Sequence, residues 1–201
     1  AGNDGAVQSE DVLWDSAESL ENLIIVGAIG LDGEIAEWSN TPGDACAIID
    51  GECNQLMYNF IVAPGEFLLV SDGDGGVTRH SGTSFAAPLV SGTAALIHGA
   101  WPWWKDHGEE TVDVILQTAT DLGEEGVDEV YGWGLLNVEA ALSPLDWENL
   151  RFYFDRNGNG HVNSGKSADW IRRAYMRSDV VQLEDNGAYV VALEAVGDTF
   201  R

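Results

Sequence analysis

The stretch Gly82-Thr83-Ser84-Phe85-Ala86-Ala87-Pro88, with the apolar run that follows it to Ile97, constrains this chain more than any other. Ser81 and Gly82 signal a turn. From Phe85 to Ile97 no residue is charged, and apolar side chains fall on every helical face. A helix that is apolar all round is a buried one, so the run predicts a helix enclosed by the fold. Pro88 is expected in its first turn, where a missing N–H costs little. Ala86, Ala87, Ser91, Gly92, Ala94 and Ala95 keep side-chain bulk low, which lets neighbouring backbones come close. Ser84 then sits at the electropositive end of a buried helix, where unpaired N–H groups can stabilise an oxyanion. A serine in that place is ordinarily a helix cap; the residues around this one argue for more.

Gly82-Thr83-Ser84-x-Ala86-Ala87-Pro88 resembles the nucleophile motif of the subtilisin-like serine peptidases, the subtilase family, at all of its fixed positions. Ala1-Gly2-Asn3-Asp4-Gly5 resembles the segment whose asparagine completes that family's oxyanion hole, and Ala63-Pro64-Gly65 the loop before the nucleophile. Thr118-Ala119-Thr120-Asp121-Leu122-Gly123 and Tyr131-Gly132-Trp133-Gly134-Leu135-Leu136-Asn137 resemble the end of the catalytic domain, so the likeness runs over residues 1–142 in the family's own order. It implies Ser84 as nucleophile, Asn3 as oxyanion donor, and Ala1, Gly2 and Thr83 along a site for a peptide or protein substrate. A serine needs a base, and the base an orienting carboxylate. In the family both precede the asparagine segment. His80, His98, His107 and His161 are the only histidines, and none lies in a family histidine motif. His80 is four residues before Ser84, but the intervening turn is expected to aim it elsewhere. The resemblance therefore implies the C-terminal half of a subtilase domain, its base supplied by an upstream portion of the same domain and the chain alone inactive. The other reading is a half-domain or degenerate relative that binds peptide without cutting it.

Residues 5–22 read as an acidic loop with a short helix. Leu23 to Ile29 is a β-branched apolar run suited to a strand buried on both faces. Ile35 to Trp38 reads as a second strand after the turn at Leu31-Asp32-Gly33-Glu34, and residues 39–57 as a surface loop. Phe60–Val62 and Phe67–Val70 are further strands. Trp101, Trp103 and Trp104 read as packing at the core edge. Val112, Ile115, Leu116 and Ala119 follow helical spacing, predicting an amphipathic helix over 110–119. Strands mixed with such helices argue an α/β layered domain with a mainly parallel sheet. The resemblance makes it a three-layer subtilisin-like fold, incomplete at the N-terminus, over residues 1–144. A small appended module is expected at 145–201.

That boundary follows the charge. The chain carries 34 acids against 9 bases, a formal net charge of −25, yet Arg79 and Lys105 are the only bases before residue 150. So negative a surface repels nucleic acid and anionic membrane and favours solubility. No stretch reaches the roughly eighteen uninterrupted apolar residues of a membrane span. The family's exported members imply a secreted or periplasmic protein, its signal upstream of Ala1. In that setting Cys46 and Cys53 would form a disulfide; otherwise they are two free thiols.

In the module, Asp155-Arg156-Asn157-Gly158-Asn159-Gly160-His161-Val162-Asn163 resembles the calcium loop of EF-hand and dockerin modules. Asp155, Asn157, Asn159 and Asn163 are the candidate ligands. Lys166 stands where the closing acid is wanted, with Asp169 as a displaced substitute, and the alternative is an ion-free turn. Ser167 to Arg177 reads as a basic helix, and Asp179–Leu183 with Ala188–Leu193 as a hairpin about Asp185-Asn186-Gly187.

Overall fold

The computed structural model describes residues 2–143 and 145 and, beyond them, strands at 151–155, 165–167, 189–193, 195–196 and 199–200. The chain divides into two compact units, Ala1–Leu142 and Ser143–Arg201. In order, the first carries β1 (Val12–Leu13), α1 (Ala17–Glu21), β2 (Ile25–Ile29), β3 (Cys46–Ile49), β4 (Glu52–Gln55), β5 (Phe60–Pro64), β6 (Leu68–Ser71), β7 (Val77–His80), α2 (Thr83–Ala100), α3 (Gly108–Gln117) and α4 (Val138–Ala141).

Its centre is the parallel pair β2–β5, in register Val26↔Ile61 and Ala28↔Ala63. Val26, Ala28, Ile29, Ile61, Val62 and Ala63 are all buried, as continuous apolar runs in a parallel pair should be. Burying each of the Val and Ile side chains contributes about 1.5–3 kcal/mol. The helix α2 packs on both strands. Ile29, Phe60, Val62 and Tyr131 form a core cluster joined by Ile35, Leu122 and Leu135. The 120–136 segment reaches it by running along β5: the Val62 N–H donates to the Gly134 carbonyl and the Leu136 N–H to the Val62 carbonyl, at 2.9 and 2.8 Å. A second cluster holds Leu20, Ala45, Ala47 and Leu56 under α1, which is capped by Ser16.

Several expectations are corrected. The helix α2 buries one stripe, Thr83, Ala86, Val90, Thr93 and Ile97, at alternating three- and four-residue spacing. Its other faces are open, with Leu89 41% and Leu96 52% exposed, because β2, β5 and α3 lie on only part of its circumference. Pro88 is not in the first turn but inside the helix, on its exposed side. Residues 35–38 do not make a strand beyond the single bridge Ile29↔Ile35. Ala36 and Ser39 turn back on β2 instead, the Ala36 N–H donating to the Ala28 carbonyl at 2.9 Å. Within 39–57, β3 and β4 form an antiparallel hairpin closed by the Cys46–Cys53 disulfide. Parallel pairing is confined to β1–β3 and β2–β5 among the described strands of this unit; β3–β4 and β6–β7 are antiparallel. Trp104 is fully buried, its ring 6.0 Å from that of Trp101.

The second unit contains β8 (Arg151–Asp155), β9 (Gly165–Ser167), β10 (Tyr189–Leu193), β11 (Ala195–Val196) and β12 (Thr199–Phe200). The strands β9 and β10 flank β8, both antiparallel to it. Lys166 is thus a strand residue opposite Phe152, and Tyr189 lies opposite Asp155. Of the expected helix from Ser167 to Arg177, Ser167 instead ends β9, opposite Arg151; the rest, and the 179–183 arm with its turn, lie outside the described residues. Among the described residues no helix is long and apolar enough to cross a membrane.

Candidate active site

The C-terminal end of β5 fixes where α2 begins. Gly65 follows β5 and its carbonyl accepts from the Gly82 N–H at 2.8 Å, while its own N–H donates to the Ile29 carbonyl of β2 at 3.2 Å. A Cβ on Gly65 would lie 2.6 Å from the Ala28 Cβ and 3.1 Å from the Gly82 carbonyl oxygen, so only glycine lets the three backbones meet here. Gly82 is the residue before the helix, and the Phe85 N–H donates to its carbonyl at 3.0 Å. Ser84, the second helical residue, is exposed. Its N–H belongs to the first turn, where no intrahelical acceptor exists. Pro88 has no N–H to give the Ser84 carbonyl four residues back, so the helix is also loosened at this residue.

Asn3 arrives from the other end of the chain. Its Oδ1 accepts from the Thr83 N–H at 2.9 Å and from the Thr83 hydroxyl at 3.0 Å. With the oxygen so engaged, Nδ2 faces away. A point one Cβ length above Gly82 lies 3.2 Å from Ser84 Oγ, 3.5 Å from the Phe85 ring and 3.7 Å from Asn3 Nδ2. Hydroxyl and amide therefore border one small space at the N-terminal end of a helix of 18 residues. This arrangement sets a serine hydroxyl beside N–H donors that can meet a developing negative charge.

Thr83 and Gly2 are the other candidates described beside it. Thr83 is 5% exposed and turned towards Asn3. Gly2 packs on the Asn40 amide, and Ala1 lies outside the described residues. His80 stacks on Phe85 with ring centroids 5.6 Å apart. His98 Nε2 meets the Thr111 hydroxyl at 3.0 Å, and His107 pairs with Glu110 at 3.6 Å. Among the described histidines none is hydrogen-bonded to Ser84. Of the calcium candidates, Asp155 ends β8; Asn157, Asn159 and Asn163 lie outside the described residues.

Two contacts in this unit, of Tyr131 and of Asn40, had no signal in the sequence. Tyr131 reaches across the end of β2 to donate to Glu34 at 2.8 Å; burial, then this bond, pushes its phenol above the ordinary value near 10. Asn40 clamps the turn that bears Asn3, although it falls in a stretch that reads only as loop. A cleft of about 390 Å³ opens between α2, α3 and β2, lined by Val26, Val90, Ala94, His98 and Val112.

Comparison with known proteins places the geometry in context. A model of the subtilase family matches residues 1–134. An extracellular serine protease of Serratia marcescens is 38% identical over 93 residues, 46% of this chain and 8% of that protein. Subtilisin amylosacchariticus of Bacillus subtilis subsp. amylosacchariticus is 31% identical over 141 residues, 70% of this chain and 32% of that protein. Among solved structures, the self-cleaved protease domain of PatA aligns with 28% identity and a TM-score of 0.50, over 70% of this chain and 46% of that one. The chain thus spans less than half the length of each of these relatives.

Proposed function

Because this chain belongs to the subtilase family, we propose that it carries the nucleophile and oxyanion hole of a serine endopeptidase. The observation that carries the reading is the shared space bordered by Ser84 Oγ and Asn3 Nδ2 above Gly82. Ser84 Oγ attacks the carbonyl carbon of the scissile peptide and passes its proton to a base. The carbonyl oxygen, now negative, accepts from Asn3 Nδ2–H and the Ser84 N–H. Collapse expels the amine, protonated by the same base, and water then hydrolyses the Ser84 ester. Each oxyanion donor is worth about 2.7–4 kcal/mol of transition-state stabilisation.

The base and its carboxylate come from a further part of the same catalytic domain, and this chain alone is inactive. Two features support that division. The histidines described here are engaged elsewhere, with Phe85, Thr111 and Glu110. The apolar side of α2, with Leu89 and Leu96 exposed, offers a seat for the missing part of a three-layer fold. The substrate is a polypeptide. The disulfide and the likeness to an extracellular protease support export. Calcium enters only at the C-terminal unit, appended to the peptidase. There Asp155, Asn157, Asn159 and Asn163 supply oxygens, with Asp169 in place of Lys166; a calcium titration followed by melting temperature tests it.

The test of the whole reading is hydrolysis of an unfolded protein such as casein by the intact protein. The wild type should cleave it and Ser84→Ala should fall to background. Equal cleavage by both would refute the reading.

A further inference from the structure

An oxyanion donor is only as well placed as the turn that bears it. Asn3, Asp4, Gly5 and Ala6 are all exposed, so packing does not hold this turn. Hydrogen bonds do, and they converge on Asn40. Its Oδ1 accepts from the Asp4 N–H at 3.0 Å and from the Ala6 N–H at 3.1 Å, and its own N–H donates to the Gly2 carbonyl at 2.9 Å. The three bonds bracket Asn3 on both sides. A Cβ on Gly2 would overlap the Asn40 amide nitrogen, so the side chain is closed down on the turn. Neighbouring bonds continue the pattern, from the Gly5 N–H to the Trp38 carbonyl at 2.8 Å and from the Thr41 N–H to the Ala6 carbonyl at 3.0 Å.

Asn40 is itself tied to the core. The Ser39 hydroxyl donates to the Asn40 carbonyl at 3.2 Å and accepts from the Ala28 N–H at 3.0 Å. Ala28 is a fully buried residue of β2. The adjacent strand β5 leads to Gly65, which holds Gly82. The turn bearing Asn3 and the helix bearing Ser84 are therefore both referenced to the same pair of strand ends.

We infer that Asn40 is a positioning residue for oxyanion stabilisation, fixing the 2–6 turn so that Asn3 reaches Thr83 with one amide atom and the space beside Ser84 with the other. The inference rests on the reading of Ser84 and Asn3 given above. Two N–H groups, two residues apart, need one side-chain oxygen with two lone pairs. Asparagine and aspartate supply it; alanine leaves both donors to water.

Asn40→Ala and Asn40→Asp test this by two measurements. In the intact protein, amide hydrogen exchange reads the Thr83 N–H, whose acceptor is Asn3 Oδ1. Asn40→Ala should speed that exchange about tenfold, the scale of one hydrogen bond, and Asn40→Asp should leave it protected. The Val62 amide, in the core, should not change in either variant. In the intact protein Asn40→Ala should lower kcat about tenfold with KM nearly unchanged, and Asn40→Asp should restore most of it. Unchanged Thr83 exchange in Asn40→Ala overturns the inference. Faster exchange at Val62 together with Thr83 also overturns it, since that is general loosening. A wild-type protein lacking Ser84-dependent hydrolysis overturns the functional reading, and with it the catalytic consequence of Asn40. The Thr83 exchange, which needs no turnover, tells that failure apart.

Discussion

Asn3 and Thr83 are 80 positions apart, yet the Asn3 side-chain oxygen accepts both the backbone N–H and the hydroxyl of Thr83, at 2.9 and 3.0 Å. A backbone N–H can only donate, so this pair dictates which way the amide faces. The oxygen is spent on the helix start and the nitrogen is left facing the space above Gly82 that Ser84 Oγ also borders.

Replacing Asn3 by leucine keeps the bulk but removes the Nδ2 donor and, with it, the acceptor of the two Thr83 bonds. Steady-state kinetics of the intact protein should show kcat lower by about 10²–10³, the loss known for removing one such donor in a subtilisin, with KM little altered. A rise in KM with kcat unchanged would assign Asn3 to ground-state binding instead.

Gly65→Ala places a methyl 2.6 Å from the Ala28 Cβ and 3.1 Å from the Gly82 carbonyl. Neither neighbour is a flexible side chain, so a backbone must move. The cost should be about 1–3 kcal/mol, read as a lower urea midpoint with the slope unchanged. Activity should fall further than stability accounts for, because the displaced backbone is the one that carries Ser84.

The Cys46–Cys53 disulfide closes a loop of sequence separation 7. Loop entropy for so short a closure gives about 2–3 kcal/mol, so the Cys46→Ser, Cys53→Ser double variant should unfold at lower urea by that amount. Reduction of the wild type should produce the same shift. No shift on reduction would mean that the β3–β4 hairpin is held by its ladder alone.

Tyr131 binds its proton more tightly in the fold than in the unfolded chain, through burial and its bond to Glu34. Its contribution is therefore complete below pH 10 and is lost as pH rises through the raised folded value. Melting temperatures measured from pH 8 to 11 should fall more steeply for the wild type than for Tyr131→Phe. Parallel profiles would contradict this.

The start of α2 was legible because its information is local: a turn, a serine and small residues in fixed order, and the family's order pointed to Asn3, which the structure bonds to Thr83 there. The strand expected over Leu23–Ile29 was legible from its continuous apolar run and is found at Ile25–Ile29, and the helix expected over 110–119 was legible from apolar periodicity and is found at Gly108–Gln117. Periodicity could not tell that Leu89 and Leu96 face outwards, because it reports what a residue would bury and not whether a neighbour is there. Nor could it place Pro88 inside α2. The β3–β4 hairpin was hidden by the Asp, Gly and Pro content around it, and its strands are held by a disulfide and by cross-strand pairing that no single stretch reveals. Ile35 to Trp38 has a strand's composition, but tertiary bonds to Ala28 turn it into a clamp. Asn40 is the sharpest case. Its partners, Asp4 and Ala6, lie 36 and 34 residues away, so nothing near it in sequence marks it.

The most direct test of the account is covalent labelling of the intact protein with a fluorophosphonate, followed by mass spectrometry of its peptides. The reagent phosphonylates an activated serine, so a single adduct on the peptide carrying Ser84 is the predicted result, absent in Ser84→Ala. An adduct at another serine, or one that survives in Ser84→Ala, would contradict the assignment of Ser84 as the nucleophile.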